Sequence, residues 1–184
     1  MKKIHFTLAC LSLISMVSTS SSFAGNRPGA LTATLAGGYE YFASKRQIDN
    51  KGVGTVMLGY DFTDNWGIEG LLSGFHTKFK NSVNDNRQIN GTLFSINGVY
   101  HFFPESVIEP YLLAGAGITG MNPSRTDANN EGNINAAVGA QWFILKSVAL
   151  RIEARDLYTW VGGKNDVLLN AGISVLIDMC NMCK

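Results

Sequence analysis

Beyond the first 24 residues the sequence carries two histidines, His76 in Phe75-His76-Thr77-Lys78 and His101 between Tyr100 and Phe102. A nucleophilic serine needs a base within hydrogen-bond reach and a carboxylate to orient that base. Neither histidine has a serine and a carboxylate at such a spacing. His76 reads as a solvated residue at a rim and His101 as a packed interior one, so no catalytic residue and no enzyme is expected. Gly115-Ala116-Gly117 lies within an extended segment with no helix after it, which excludes a phosphate cradle. Asp127, Asn129, Asn130 and Glu131 offer an incomplete series of oxygen ligands for calcium and read as an external loop. No metal and no cofactor is expected. Cys180 and Cys183 form a C-x-x-C pair without the βαβ context of a redox motif. A tail disulfide or an inert pair is the first reading and redox function a distant second, while a metal would need two further ligands.

The elements that must position these residues begin with an export signal. Met1-Lys2-Lys3 is basic, Ile4 to Val17 is mostly apolar, and Ser22-Phe23-Ala24 fits a small-x-small cleavage site, so residues 1–24 are expected to be a cleaved signal peptide. Cys10 is a weak lipoprotein site, having Thr7 three positions before it and too short an apolar stretch. Over all 184 residues the net charge is +1, with no basic field of the kind that nucleic acid requires. Charged residues make up 16% of the chain against roughly 25% in soluble proteins, so part of the outer surface is expected to avoid water.

No later stretch reaches the ~18 to 20 apolar residues of a spanning helix. Lipid leaves backbone N–H and C=O groups unsatisfied, so a chain that crosses without helices must close into a barrel. Period-two alternation marks eight segments: Leu31 to Ala43, Gly52 to Phe62, Trp66 to Phe79, Gly91 to Phe103, Pro110 to Met121, Gly132 to Ile144, Val148 to Trp160 and Asp166 to Asp178. The predicted fold is all-β, an eight-stranded antiparallel up-and-down transmembrane barrel over residues 25–178, followed by a short periplasmic tail at 179–184. Connections after even segments are short, as in Thr63-Asp64-Asn65, Pro104 to Glu109 and Leu145-Lys146-Ser147. Those after odd segments tend to be longer and more polar, as in Ser44 to Lys51 and Lys80 to Asn90, although Val161 to Asn165 is little longer than a turn. This parity predicts external loops and two periplasmic termini. All four prolines fall before, between or at the start of segments, where a missing N–H harms the ladder least.

A soluble barrel turns its apolar face inward and a membrane barrel turns it to lipid. In the seventh segment Val148, Leu150, Ile152 and Ala154 oppose Arg151, Glu153 and Arg155. In the others the polar face is mostly small, as with Thr32, Thr34, Ala36 and Gly38, which suits the narrow interior of eight strands. Glu40, Glu69, Arg151, Glu153 and Arg155 are therefore expected to line the lumen as a structural polar network. Buried charges persist only when paired, and the third and seventh strands of the ring lie opposite, so Glu69 is expected to reach toward Arg151 or Arg155. Tyr39, Tyr41, Tyr60, Phe62, Trp66, Tyr100, Phe102, Trp142, Tyr158 and Trp160 cluster near segment ends on the apolar face, like interfacial girdles. A β-sandwich with ordinary core aromatics, or a soluble periplasmic barrel with an apolar ligand, are the competing readings.

Gly59-Tyr60-Asp61-Phe62 with Asn65-Trp66-Gly67-Ile68-Glu69, then Pro110-Tyr111-Leu112-Leu113-Ala114-Gly115-Ala116-Gly117, then Leu150-Arg151-Ile152-Glu153-Ala154-Arg155, resemble in order and spacing the membrane domain of the OmpA/OprF-type outer-membrane proteins. The resemblance covers nearly the whole chain after residue 24. It implies a barrel in the outer membrane of a Gram-negative bacterium, with a structural or weakly pore-forming, porin-like role. Its partners would be outer-membrane lipid, lipopolysaccharide and the assembly machinery, with a host or environmental ligand at the external loops and no nucleic acid. A surface adhesin is the nearest alternative, and a lipid-A-modifying enzyme a lesser one. Two departures stand out: relatives of this kind often continue into a peptidoglycan-binding domain whereas this sequence stops at Lys184, so cell-wall anchoring is not expected, and the eighth segment ends Val175-Leu176-Ile177-Asp178 without the customary closing aromatic.

Overall fold

Strict alternation over stretches rich in Leu, Ile, Val and Tyr gives each strand one apolar and one polar face. The computed structural model describes residues 25–78, 88–123 and 129–178. Within them run eight strands: β1 (Ala30–Tyr41), β2 (Lys51–Asp61), β3 (Trp66–Lys78), β4 (Gln88–His101), β5 (Ile108–Pro123), β6 (Asn129–Leu145), β7 (Val148–Thr159) and β8 (Lys164–Asp178). Each pairs antiparallel with the next, and β8 pairs with β1 to close the ring. The seam is continuous from Ala30↔Asp178 to Tyr41↔Val167. Inside it Thr34 and Ser174, 140 residues apart, hydrogen bond through their hydroxyls at 2.8 Å. Closure leaves no strand edge, the condition for a sheet in hydrocarbon.

The greasy face is outside. Leu35 is 70% exposed and Ile152 62%, whereas Arg155 is fully buried. Trp66, Tyr60, Trp142, Tyr39, Tyr158 and Trp160 are also exposed, toward the two ends of the wall. Some pack edge to face, as Trp66 does with Tyr100 at 4.9 Å.

The eight expected segments are the eight strands, with four corrections. β5 runs Ile108–Pro123 rather than from Pro110 to Met121, so Pro110, opposite Ala140, and Pro123, opposite Ile89, lie within the ladder instead of at its start and beyond its end. β6 starts at Asn129, so Asn129, Asn130 and Glu131 are ladder rather than loop, paired with Met121, Gly120 and Thr119. Polar composition argued for a loop, but the ladder bonds continue through it and Glu131 keeps the inward phase. β4 likewise starts at Gln88 and ends at His101, two residues before Phe103, which turns at φ 53°. The stretch after β1 does not stand out as a polar external loop: a one-turn 3₁₀ helix η1 (Ser44–Arg46) folds it back over the barrel mouth, burying Phe42, Arg46 and Ile48. Residues 1–24, 79–87, 124–128 and 179–184 lie outside the described residues, and with them the expected signal peptide, most of the expected Lys80 to Asn90 loop and both Cys180 and Cys183.

Residues 25–29 cross the opposite end of the barrel. Gly29 N–H donates to the Asp61 carbonyl at 2.7 Å, the Asn26 side chain to the Asp64 carbonyl at 3.2 Å, and Arg27 to the Ser147 hydroxyl at 3.2 Å. One end, here the turn end, thus carries the β2–β3, β4–β5 and β6–β7 connections and this crossing segment. The other, the loop end, carries η1.

Candidate functional site: the polar lumen

Alternation along β7 sends Arg151, Glu153 and Arg155 to the same inner face, and Glu69 meets them from β3 across the ring. The Arg151 guanidinium donates twice to the Glu69 carboxylate and once to Glu153, at 2.6 Å. Arg155 donates to Glu153 at 2.9 Å and to the Asn135 side chain at 2.8 Å, and lies 3.5 Å from Glu69. Two cations therefore face two anions, each charge compensated at mid-height. Tyr111 from β5 completes the cluster, accepting from Arg151 Nε at 2.7 Å and donating to Glu153 at 2.8 Å. Its ring fits because position 139 is glycine: a Cβ there would come within 2.3 Å of the Tyr111 ring.

Glu40, the fifth residue of the expected network, lies elsewhere. It is buried near the loop end of β1, paired in register with Lys51, and its neighbouring charges are Asp166 and Arg46. Parity correctly assigns its face but says nothing of its height along the barrel.

At the loop end Arg46 is the hub. It donates to Asp166 at 2.8 Å, to Glu131 at 2.8 Å and to the Thr159 hydroxyl at 3.1 Å, while Lys164 also pairs with Glu131. Burial opposes its charge, but the Asp166 hydrogen bond and the carboxylates together outweigh that and hold its pKa above the ordinary guanidinium value. Between this latch and the mid-height cluster, Phe42, Ile48, Met57, Leu71, Phe75, Leu93, Leu157 and Leu168 fill the bore with apolar side chains.

At the turn end His101 sits between Glu109 and Asp61, Nδ1 toward the former and Nε2 3.4 Å from the latter. Asn26 N–H donates to Glu109 at 2.9 Å from the crossing segment. The packed interior placement expected for His101 is where it lies, but its two carboxylate partners were not foreseen. Asp61 shares its inward phase with Thr55 and Met57, a signal present in the alternation. Exposed His76 at the loop end meets Asn90 across the β3–β4 ladder. Among the described residues no serine hydroxyl hydrogen bonds to either histidine. A lumen cavity between Glu69, Arg151 and His101 has a volume of about 10 Å³, room for a single water.

Comparison with known proteins agrees with this architecture. The N-terminal barrel of Pseudomonas aeruginosa OprF superposes with a TM-score of 0.59 at 16% identity, covering 80% of this chain and 98% of that one. OprG of the same organism gives 0.67 at 12% identity over 85% and 99%, and Ail of Yersinia pestis 0.56 at 15% over 82% and 99%. In sequence, outer membrane protein Omp38 of Acinetobacter baumannii is 32% identical over 113 residues, 56% of this chain. The match spans 30% of that relative's length. The family described as outer membrane protein beta-barrel domain matches residues 6–175, and with its closed ring, outward apolar wall and charged interior, this chain belongs to it.

Proposed function

We propose that the protein is a structural barrel of the outer membrane whose bore passes no more than water, with both termini in the periplasm and the loop end outside. The observation that carries this reading is the filling of the lumen at successive heights: His101 with its carboxylates, the Glu69–Arg151–Glu153–Arg155 cluster, the apolar plug, and the Arg46 latch. A porin needs a continuous wet path, and the ~10 Å³ void between His101 at the turn end and the Glu69–Arg151 pair is no path. The orientation rests on short turns lying on the periplasmic side of such barrels. Residues 1–24 act in this reading as the export signal.

Among the described residues the side-chain partners of the two histidines are Asn90, Asp61 and Glu109 rather than a serine hydroxyl, which favours a non-enzymatic role over hydrolysis of lipid A. Planar-bilayer recordings test the closed bore: conductance indistinguishable from protein-free membrane is expected, and stable steps of porin size would overturn it. Mass spectrometry of lipid A from cells with and without the protein tests the enzymatic alternative, with unchanged acylation expected.

A further inference from the structure

The outer wall is not evenly greasy. In the hydrogen-bonding direction one row of outward residues reads Ile68, Gly98, Ala114, Ala136 and Asp156, each the register partner of the next from β3 to β7. The neighbouring row on one side is Trp66, Tyr100, Leu112, Val138 and Ala154, and on the other Ile96, Ala116, Ile134 and Tyr158. Small side chains between larger ones make a groove of about 700 Å³ on the membrane face. Its outward lining is apolar, aromatic or glycine except for Asp156. The barrel does not force that smallness at position 98, where an added Cβ would meet nothing closer than 3.9 Å.

From Gly98 to Asp156, the part of the row that lines the groove, it crosses three interstrand spacings of ~4.8 Å, about 14 Å in all. That suits a single acyl chain running obliquely through one leaflet, half of a core ~30 Å thick. The loop-end terminus of the groove is polar. Asp156 is exposed on the lipid-facing side, accepts a 2.7 Å hydrogen bond from Asn165, and pairs with no cation among the described residues. It sits two residues, about 6.6 Å along the strand, inside Tyr158, whose ring marks the headgroup level. At that depth an ester-linked chain presents only carbonyl acceptors, which a carboxylate repels. A chain joined through an amide or bearing a hydroxyl presents N–H or O–H donors.

We propose that this groove binds one amide-linked, hydroxylated acyl chain of the kind that anchors lipopolysaccharide, with Asp156 and Asn165 receiving the donor groups at its root. The assignment rests on the orientation given above, which puts Asp156 in the outer leaflet. Native mass spectrometry reads it directly, using protein released into mild detergent from bilayers of phosphatidylethanolamine, phosphatidylcholine and lipopolysaccharide. Wild type is expected to keep one lipopolysaccharide, G98L to lose it by about ten-fold or more through filling the groove, and D156A to exchange it for phospholipid. Heat-dependent gel migration shows that each variant has folded. Equal retention of lipopolysaccharide in wild type and G98L, phospholipid alone on wild type, or a dimer that G98L dissolves would each overturn the proposal. None of these outcomes bears on the closed bore, which conductance tests separately.

Discussion

Glu69 on β3 and Arg151 on β7, 82 residues apart in the chain, meet through two hydrogen bonds across the full width of the lumen. The contact ties opposite walls together and leaves neither charge in an apolar bore alone. Removing one partner of a buried pair is far more damaging than never having had the pair, since the survivor keeps its desolvation penalty.

The E69A variant is accordingly expected to lose about 3–5 kcal/mol of stability. In detergent this should appear as a folded gel band that gives way to the unfolded one at a lower temperature. Replacing Glu69, Arg151, Glu153 and Arg155 together by apolar residues of similar volume should restore much of the loss, because no orphaned charge remains.

Gly139 is expected to resist replacement even by alanine. Its missing side chain is the space that the Tyr111 ring occupies, and overpacking of this sort is destabilising by roughly 1–3 kcal/mol. The same heating assay measures it, and G139A combined with Y111F should still be impaired, since the clash involves the ring as well as the hydroxyl.

Arg46 should govern the loop-end mouth more than global stability. In R46A the Asp166 and Glu131 carboxylates lose their buried guanidinium, and the segment from Phe42 to Ile48 loses its anchor. The Ala43 amide, which donates to Asp166 at 2.8 Å, is the reporter. Its hydrogen exchange is expected to rise at least about a hundred-fold, equivalent to roughly 3 kcal/mol of local opening, with mid-strand amides of β7 unchanged.

The direction in which the wall faces is testable at Ile152. An arginine there would stand in hydrocarbon, and charged substitutions on the lipid face near the midplane lower stability by about 2–4 kcal/mol. Spin labels at Ile152 and Ile173 should report lipid, and labels at Asn135 and Ser174 should not.

Strands and faces were legible because alternation is local. Arg151, Glu153 and Arg155 are two residues apart on one strand, so any window of five residues shows that they share a face. Ring closure then supplies the partner, since β3 must lie opposite β7. The loop-end latch was not legible for the converse reason. Arg46 belongs to no alternating segment, and its carboxylates come from positions 85 and 120 residues further along. Glu131 lay hidden in an Asn-rich stretch whose composition suggested a loop. Glu40 shows a third limit, because alternation reports a side of the sheet and depth along the bore depends on how the strands are staggered.

The hydroxyl contact between Thr34 and Ser174 has a consequence for biogenesis. It belongs to a seam that exists only once the last strand has been made, so any shorter nascent piece has two raw margins of unpaired amides and carbonyls. Such a piece gains nothing by entering lipid, and a sheet of seven strands is a template for aggregation rather than a smaller version of the protein. The margins of β1 and β8 must therefore be joined to each other, or covered, before the sheet is stable in lipid, and the chain has to be kept from settling until β8 is available to meet β1.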